Sequence, residues 1–181
     1  CHHNPMILVD PDGNKTWPIA STIIRTELYN AFIGYYNAPR PGNRDKLHHG
    51  VDISGNIGDP VTATDTGIVV FAGYANKKLG NIVRIETLVI NEDGTFNISI
   101  SEVAHLNDIF VQTGDIVEEG VVVGTLGQTG NAGNTSPHVH YSEKNSKGVF
   151  KNPSSTYTAE ERKQQSIPET DYNKIGNNND N

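Results

Sequence analysis

One cysteine, Cys1, is all this 181-residue chain has. With no second thiol there is no intrachain disulfide, so the fold must rest on its core or on a metal. Long apolar runs are missing too. No stretch approaches the roughly 20 consecutive apolar residues of a membrane-spanning helix, and no charged-then-apolar leader opens the chain, so a soluble or already processed chain is expected. Lys and Arg number 14 against 21 Asp and Glu, for a net charge of −7, and no basic cluster is present. That removes the electrostatic footprint of a protein that binds DNA, RNA or an anionic membrane surface. Aromatics are sparse at 7%, whereas 18 Gly and 9 Pro are many, a balance that suits short strands joined by turns better than a helical bundle. The composition predicts an all-β chain, and the length suits one well-cored domain rather than two.

What is there begins with the ends. Cys1, followed by a polar segment, looks like the lipid-modified cysteine left when a bacterial lipoprotein signal is cleaved, which would tether the chain to a membrane; an arbitrary chain start is the plain alternative. His2 and His3 read as a solvated end, against a tag remnant or a metal gripped through a free amino terminus. Met6 to Asp10 with the turn Asp12-Gly13-Asn14 suggests a hairpin or edge strand, and residues 22–36 fit either a short helix or strands. From Asp52 onward, short β-branched runs (Val61 to Ala63, Gly67 to Ala72, Asn81 to Ile90, Phe96 to Ile100, Val121 to Leu126) alternate with Gly-containing turns. Glu92-Asp93-Gly94 marks a hairpin between two of them. Gly58-Asp59-Pro60-Val61 with Thr66-Gly67-Ile68-Val69-Val70 echoes Gly114-Asp115-Ile116-Val117 with Glu119-Gly120-Val121-Val122-Val123. Two such units face to face would close a small sandwich or barrel-like core. Beyond Pro153 the β texture ends; Thr158-Ala159-Glu160-Glu161 has capping-box form for a short polar helix, and the Asn-rich end has nothing to bury.

Chemistry concentrates on histidine. In Lys46-Leu47-His48-His49-Gly50-Val51-Asp52-Ile53, read as a strand, His48, Gly50 and Asp52 share one face, and Leu47, His49, Val51 and Ile53 the other. Parity therefore selects His48 as the partner of Asp52, with Gly50 leaving space for an ion between them, and makes His49 a packing residue. Ser136-Pro137-His138-Val139-His140-Tyr141 again places two imidazoles, His138 and His140, on one face of a strand; they suit two metal ligands, or one ligand and one acid/base. The polar loop Gly130-Asn131-Ala132-Gly133-Asn134 before them suits a cleft rim. His105, after the strand Phe96 to Ile100, would not be singled out alone, but five of the seven histidines fall in these three segments. Two neutral imidazoles and one carboxylate leave a fourth position open on a tetrahedral Zn²⁺, the pattern of a catalytic site. Zinc so held lowers the pKa of water towards about 7 and polarises a carbonyl, which suits amide hydrolysis. No His-Glu-x-x-His helix supplies a glutamate base, so the two remaining histidines would serve as base and as oxyanion stabiliser or acid.

These residues resemble the lysostaphin-type zinc metallopeptidases, endopeptidases that cut peptide bridges in bacterial peptidoglycan. The matching pieces are His48-His49-Gly50-Val51-Asp52-Ile53, Gly58-Asp59-Pro60-Val61 leading to Ala63-Thr64-Asp65-Thr66-Gly67-Ile68-Val69, Gly80-Asn81-Ile82-Val83 with Ala104-His105-Leu106, Gly114-Asp115-Ile116-Val117 to Gly127-Gln128-Thr129-Gly130, and Ser136-Pro137-His138-Val139-His140-Tyr141. Together they run in the family's order over residues 17–153. The resemblance implies one Zn²⁺ held by His48, Asp52 and His140, with His105 and His138 as catalytic histidines; the ranking of His140 over His138 comes from it alone. It implies an all-β domain of antiparallel sheets forming a groove over 17–153, between a polar segment 1–16 and a polar tail 154–181. It also implies a peptidoglycan peptide substrate and a place in the bacterial cell envelope or outside the cell. The Pro- and Gly-rich segment Tyr35 to Lys46 departs from the family's shorter approach to the first ligand, which bears on substrate choice and leaves the metal site alone. The alternative within the fold is an inactive or regulatory envelope domain, against which all five positions are present. A biotinyl/lipoyl carrier lacks its hairpin-tip lysine here, and an iron oxygenase site would leave His105 and His138 without a task.

Overall fold

The computed structural model describes residues 17–19, 36–40, 43–90 and 93–153. The hairpin expected between Met6 and Asn14, nearly all of segment 22–36, Cys1 with its neighbouring histidines, and the tail from 154 lie outside them. The described chain is antiparallel β throughout, with strands β1 (Pro39–Arg40), β2 (Asn43–Leu47), β3 (Val51–Ser54), β4 (Pro60–Thr62), β5 (Gly67–Asn76), β6 (Gly80–Ile90), β7 (Phe96–Ile109), β8 (Ile116–Val117), β9 (Val122–Leu126), β10 (His138–Asn145) and β11 (Phe150–Lys151). A 3₁₀ turn, Gly130–Asn134, precedes β10. β1 and β2 pair with each other, and the remaining nine strands form one branching sheet. Its spine runs β11-β10-β7-β6-β5-β8, β3 adds to β10, and β9 joins both β4 and β7.

The two echoing sequence units become structural partners. β4 and β5 belong to the first, β8 and β9 to the second, and pairing is exchanged between units, β4 with β9 and β5 with β8. Each unit opens on the same turn. Asp59 and Asp115 accept, through Oδ2, the backbone N–H three residues earlier (2.7 and 2.9 Å), and the glycines before them take φ of +93° and +99°, a conformation glycine adopts at no steric cost. Each turn then clamps a strand of the other unit. Gly58 N–H donates to Leu126 O, which is followed by Leu126 N–H to Asp59 O, both at 2.9 Å; Gly114 and Asp115 bracket Val69 in the same way at 2.8 Å.

Period-two alternation then separates core from site. Val51 and Ile53 on β3 lie opposite Tyr141 and Val139 on β10, all four fully buried, and join Val61, Val69, Val83, Val103, Leu106, Val123 and Leu126 in one apolar cluster. Burying each such side chain contributes about 1.5–3 kcal/mol. Trp17 packs edge-on against Tyr141, ring centroids 6.5 Å apart. The opposite face of the same two strands carries Asp52 beside His140 and Ser54 beside His138. On the other side of β10, His140 lies next to Ala104 of β7. β7 runs well beyond Ile100, where the sequence suggests its end, so that His105 sits within this strand rather than after it.

Candidate metal centre

Three donor atoms converge where β3 meets β10. His48 Nε2 and His140 Nδ1 lie 3.1 and 2.9 Å from Asp52 Oδ1, and 2.9 Å from each other. Protons alone satisfy such a triangle poorly, because two ring nitrogens and a carboxylate oxygen all present lone pairs inward and each proton can serve only one edge. A cation serves all three at once. The edges are slightly tighter than the roughly 3.3 Å of a tetrahedral site with bonds near 2.0–2.1 Å, so the donor set fits Zn²⁺ with small adjustments. His48, Asp52 and His140 also form the one such three-donor group among the described residues. Burial by itself would raise the Asp52 pKa, but the charges of His48 and His140 and their hydrogen bonds outweigh it and hold the carboxyl well below its ordinary range.

Backbone geometry explains how each donor arrives. His48 precedes β3 rather than lying in it, and is fixed by His48 N–H to Ala38 O (3.0 Å) and Asn37 N–H to His48 O (2.8 Å). The expected single strand through Asp52 is therefore interrupted at 48–50, although His48 still reaches Asp52 and His49 still points away. Gly50 has a different use from the one read in the sequence. A Cβ there would fall against Tyr141 O and 2.8 Å from His140 Cε1, so the missing side chain makes room for the His140 ring rather than for the ion. His49 is exposed, and Leu47 beside it is 43% exposed, so the face expected to be apolar divides: Val51 and Ile53 enter the core while His49 stacks on Phe150, centroids 4.5 Å apart.

The other two histidines stand beside this triangle. His138, buried, keeps Nε2 3.9 Å from Asp52 Oδ1 and its ring 4.9 Å from that of His105. His105 is likewise buried, 6.2 Å from the His140 ring. Each turns Nδ1 to a backbone carbonyl, His105 to Thr129 O and His138 to Ser136 O, both at 2.9 Å. A carbonyl only accepts, so each Nδ1 carries a proton and proton exchange falls to Nε2. Burial pushes the His105 pKa down to about 3, and His138 and His140 nearby push the same way, so this ring is neutral at any physiological pH. All five residues read from the sequence are thus brought into one site. Thr129 and Ser136 were not read as contributors, because a main-chain carbonyl leaves no signature in residue type.

An antiparallel β domain with three converging donors and two flanking imidazoles defines the class: a β domain with a candidate metal site. The particular family follows from comparison. The profile of Peptidase family M23 matches residues 46–153, and the chain belongs to that family. It is similar to lysostaphin of Staphylococcus simulans, 37% identical over 115 residues that make up 63% of this chain and 22% of that protein. It is also similar to the murein hydrolase activator NlpD of Escherichia coli, 31% identical over 143 residues, 79% of this chain and 31% of the activator. Among solved structures, the catalytic domain of the antimicrobial peptidase lysostaphin superposes with a TM-score of 0.54 at 33% identity, covering 67% of this chain and 86% of that domain. The matched region thus spans between about a fifth and a third of these curated relatives.

Proposed function

We propose that this chain is a zinc-dependent endopeptidase that hydrolyses peptide cross-links or stem peptides of bacterial peptidoglycan, in the cell envelope or outside the cell. The observation that carries this reading is the pairing of a three-donor triangle (His48, Asp52, His140) with two imidazoles whose Nδ1 atoms are held by backbone carbonyls. His48, Asp52 and His140 hold one Zn²⁺. When bound, zinc acidifies water and polarises a carbonyl. One of His105 and His138 takes the proton of the attacking water at Nε2 as the oxygen adds to the scissile carbonyl carbon. That ring, now protonated at Nε2, passes the proton on to the nitrogen as the C–N bond breaks, and the other ring steadies the developing oxyanion when its own Nε2 carries a proton. Fixed tautomers mean that neither ring must turn over before it acts.

The likeness to a murein hydrolase activator favours a second reading, in which the same fold binds the wall and stimulates another hydrolase. Digestion of purified peptidoglycan of several cross-link chemistries, with mass analysis of the fragments, separates the two. Zinc-dependent release of fragments ending in new amino and carboxyl termini supports the peptidase. Stoichiometric zinc with every wall peptide intact, together with stimulation of an added murein hydrolase, supports the activator.

A further inference from the structure

His105 sits where β6 and β7 fall out of step. Asn81 pairs with Leu106 and Ile82 with Ala104, which leaves His105 as the extra residue of a β-bulge, at φ +67°. A residue with a Cβ keeps that left-handed backbone only where its surroundings impose it, and bulges re-aim a side chain out of strand alternation. Regular alternation would send the 105 side chain to the same side as Val103, into the core. The bulge redirects it to the site.

Thr129 makes three of the contacts that hold this step. Its carbonyl accepts His105 Nδ1–H at 2.9 Å, its Oγ1 donates to Leu106 O at 2.9 Å, and the same Oγ1 accepts Asn81 N–H at 3.0 Å. One hydroxyl therefore joins the two strands at the register slip, and the carbonyl of the same residue holds the ring. Gly80 and Gly130 let the loops meet there: a Cβ on Gly80 would fall on Thr129 Oγ1, and one on Gly130 would lie 2.5 Å from Gly80 N. His105 N–H to Leu79 O and Asn131 N–H to Lys78 O, each 3.1 Å, close the seam.

We propose that Thr129 is a positioning residue for His105: its hydroxyl locks the bulge between β6 and β7, and its carbonyl fixes the ring in the Nδ1–H tautomer. Only the kinetic consequence rests on the peptidase reading; the tautomer does not. The test compares wild type with Thr129→Val, which keeps the shape and loses the hydroxyl, and Thr129→Ser, which keeps the hydroxyl. The ring nitrogens of His105 are read by NMR on protein with ¹⁵N-labelled histidine, beside zinc content, kcat and KM on wall peptides. Wild type and Thr129→Ser should show one Nδ1–H form. Thr129→Val should show a mixture of tautomers and a kcat lower by about ten-fold or more, with zinc content unchanged and KM within about two-fold. An Nε2–H form in wild type overturns the proposal even if Thr129→Val does not fold. So does Thr129→Val with an unchanged tautomer, or Thr129→Ser failing as badly as Val. If wild type cleaves no wall, the peptidase reading falls, and the tautomer comparison alone decides the role of Thr129.

Discussion

The two halves of the site are built by opposite means. His140 and Asp52 face each other across regular antiparallel pairing of β3 and β10, where side-chain direction follows from counting residues in twos. His105 arrives through a backbone irregularity, a bulge with positive φ, and both His105 and His138 are oriented by carbonyls of loop residues. The regular half gathers donors, as a metal needs; the irregular half sets tautomers, as proton transfer needs. Substitutions in the first should therefore act through metal binding, and in the second through chemistry with metal retained.

The largest effect is expected among the donors, of which Asp52 and His140 belong to the regular half and His48 is held just before it. Removing Asp52 or His48, as Asp52→Ala or His48→Ala, should abolish stoichiometric zinc and reduce wall cleavage to background; metal analysis beside fragment release checks both. Gly50→Ala comes next. It changes no donor, yet its Cβ presses on the His140 ring and Tyr141 O, so zinc affinity should weaken and stability fall by about 1–3 kcal/mol, read by zinc titration and denaturant unfolding. Unchanged zinc affinity in Gly50→Ala would break the claim that this glycine seats His140.

In the irregular half the expected effects are smaller and of another kind. Gly at 105 should give a more stable protein than Ala by about 1 kcal/mol, the reverse of the usual order, because only Gly takes a positive φ freely; comparing unfolding of His105→Gly and His105→Ala tests the bulge directly. Acid should also destabilise the metal-free protein through this residue. The unfolded chain binds a proton at His105 near its ordinary pKa of 6.5, whereas the folded chain refuses it until about 3. Between those values the unfolded state holds more protons, so stability falls as pH falls, and His105→Gln should flatten that slope. The smallest effect belongs to His49, which stacks on Phe150 away from the donors. His49→Ala should keep full zinc content and cost less than about 1 kcal/mol.

The same contrast explains what could be read from the sequence. Alternating β-branched runs and Gly-Asp turns made the antiparallel strands and the internal repeat legible, because local pattern and tertiary pairing agree there. The shared face of His138 and His140 was legible for the same reason. Parity paired His48 with Asp52, although the strand it assumed stops short of His48, held instead by Ala38 and Asn37. The role of Gly50 was misread, since the ring that fills its space comes from residue 140, far along the chain. The bulge at His105 left no local mark: a histidine stands where a glycine would have signalled positive φ. Nor could spacing rank His138 against His140, because both lie on one face and only the position of β3 decides which of them meets Asp52.

That ranking is also the most direct place to test the account. Zinc content should be measured by metal analysis in wild type, His140→Ala and His138→Ala purified side by side. One zinc per chain in wild type and in His138→Ala, with none in His140→Ala, is the predicted result. Zinc lost from His138→Ala and kept by His140→Ala would contradict the assignment of the metal to His48, Asp52 and His140.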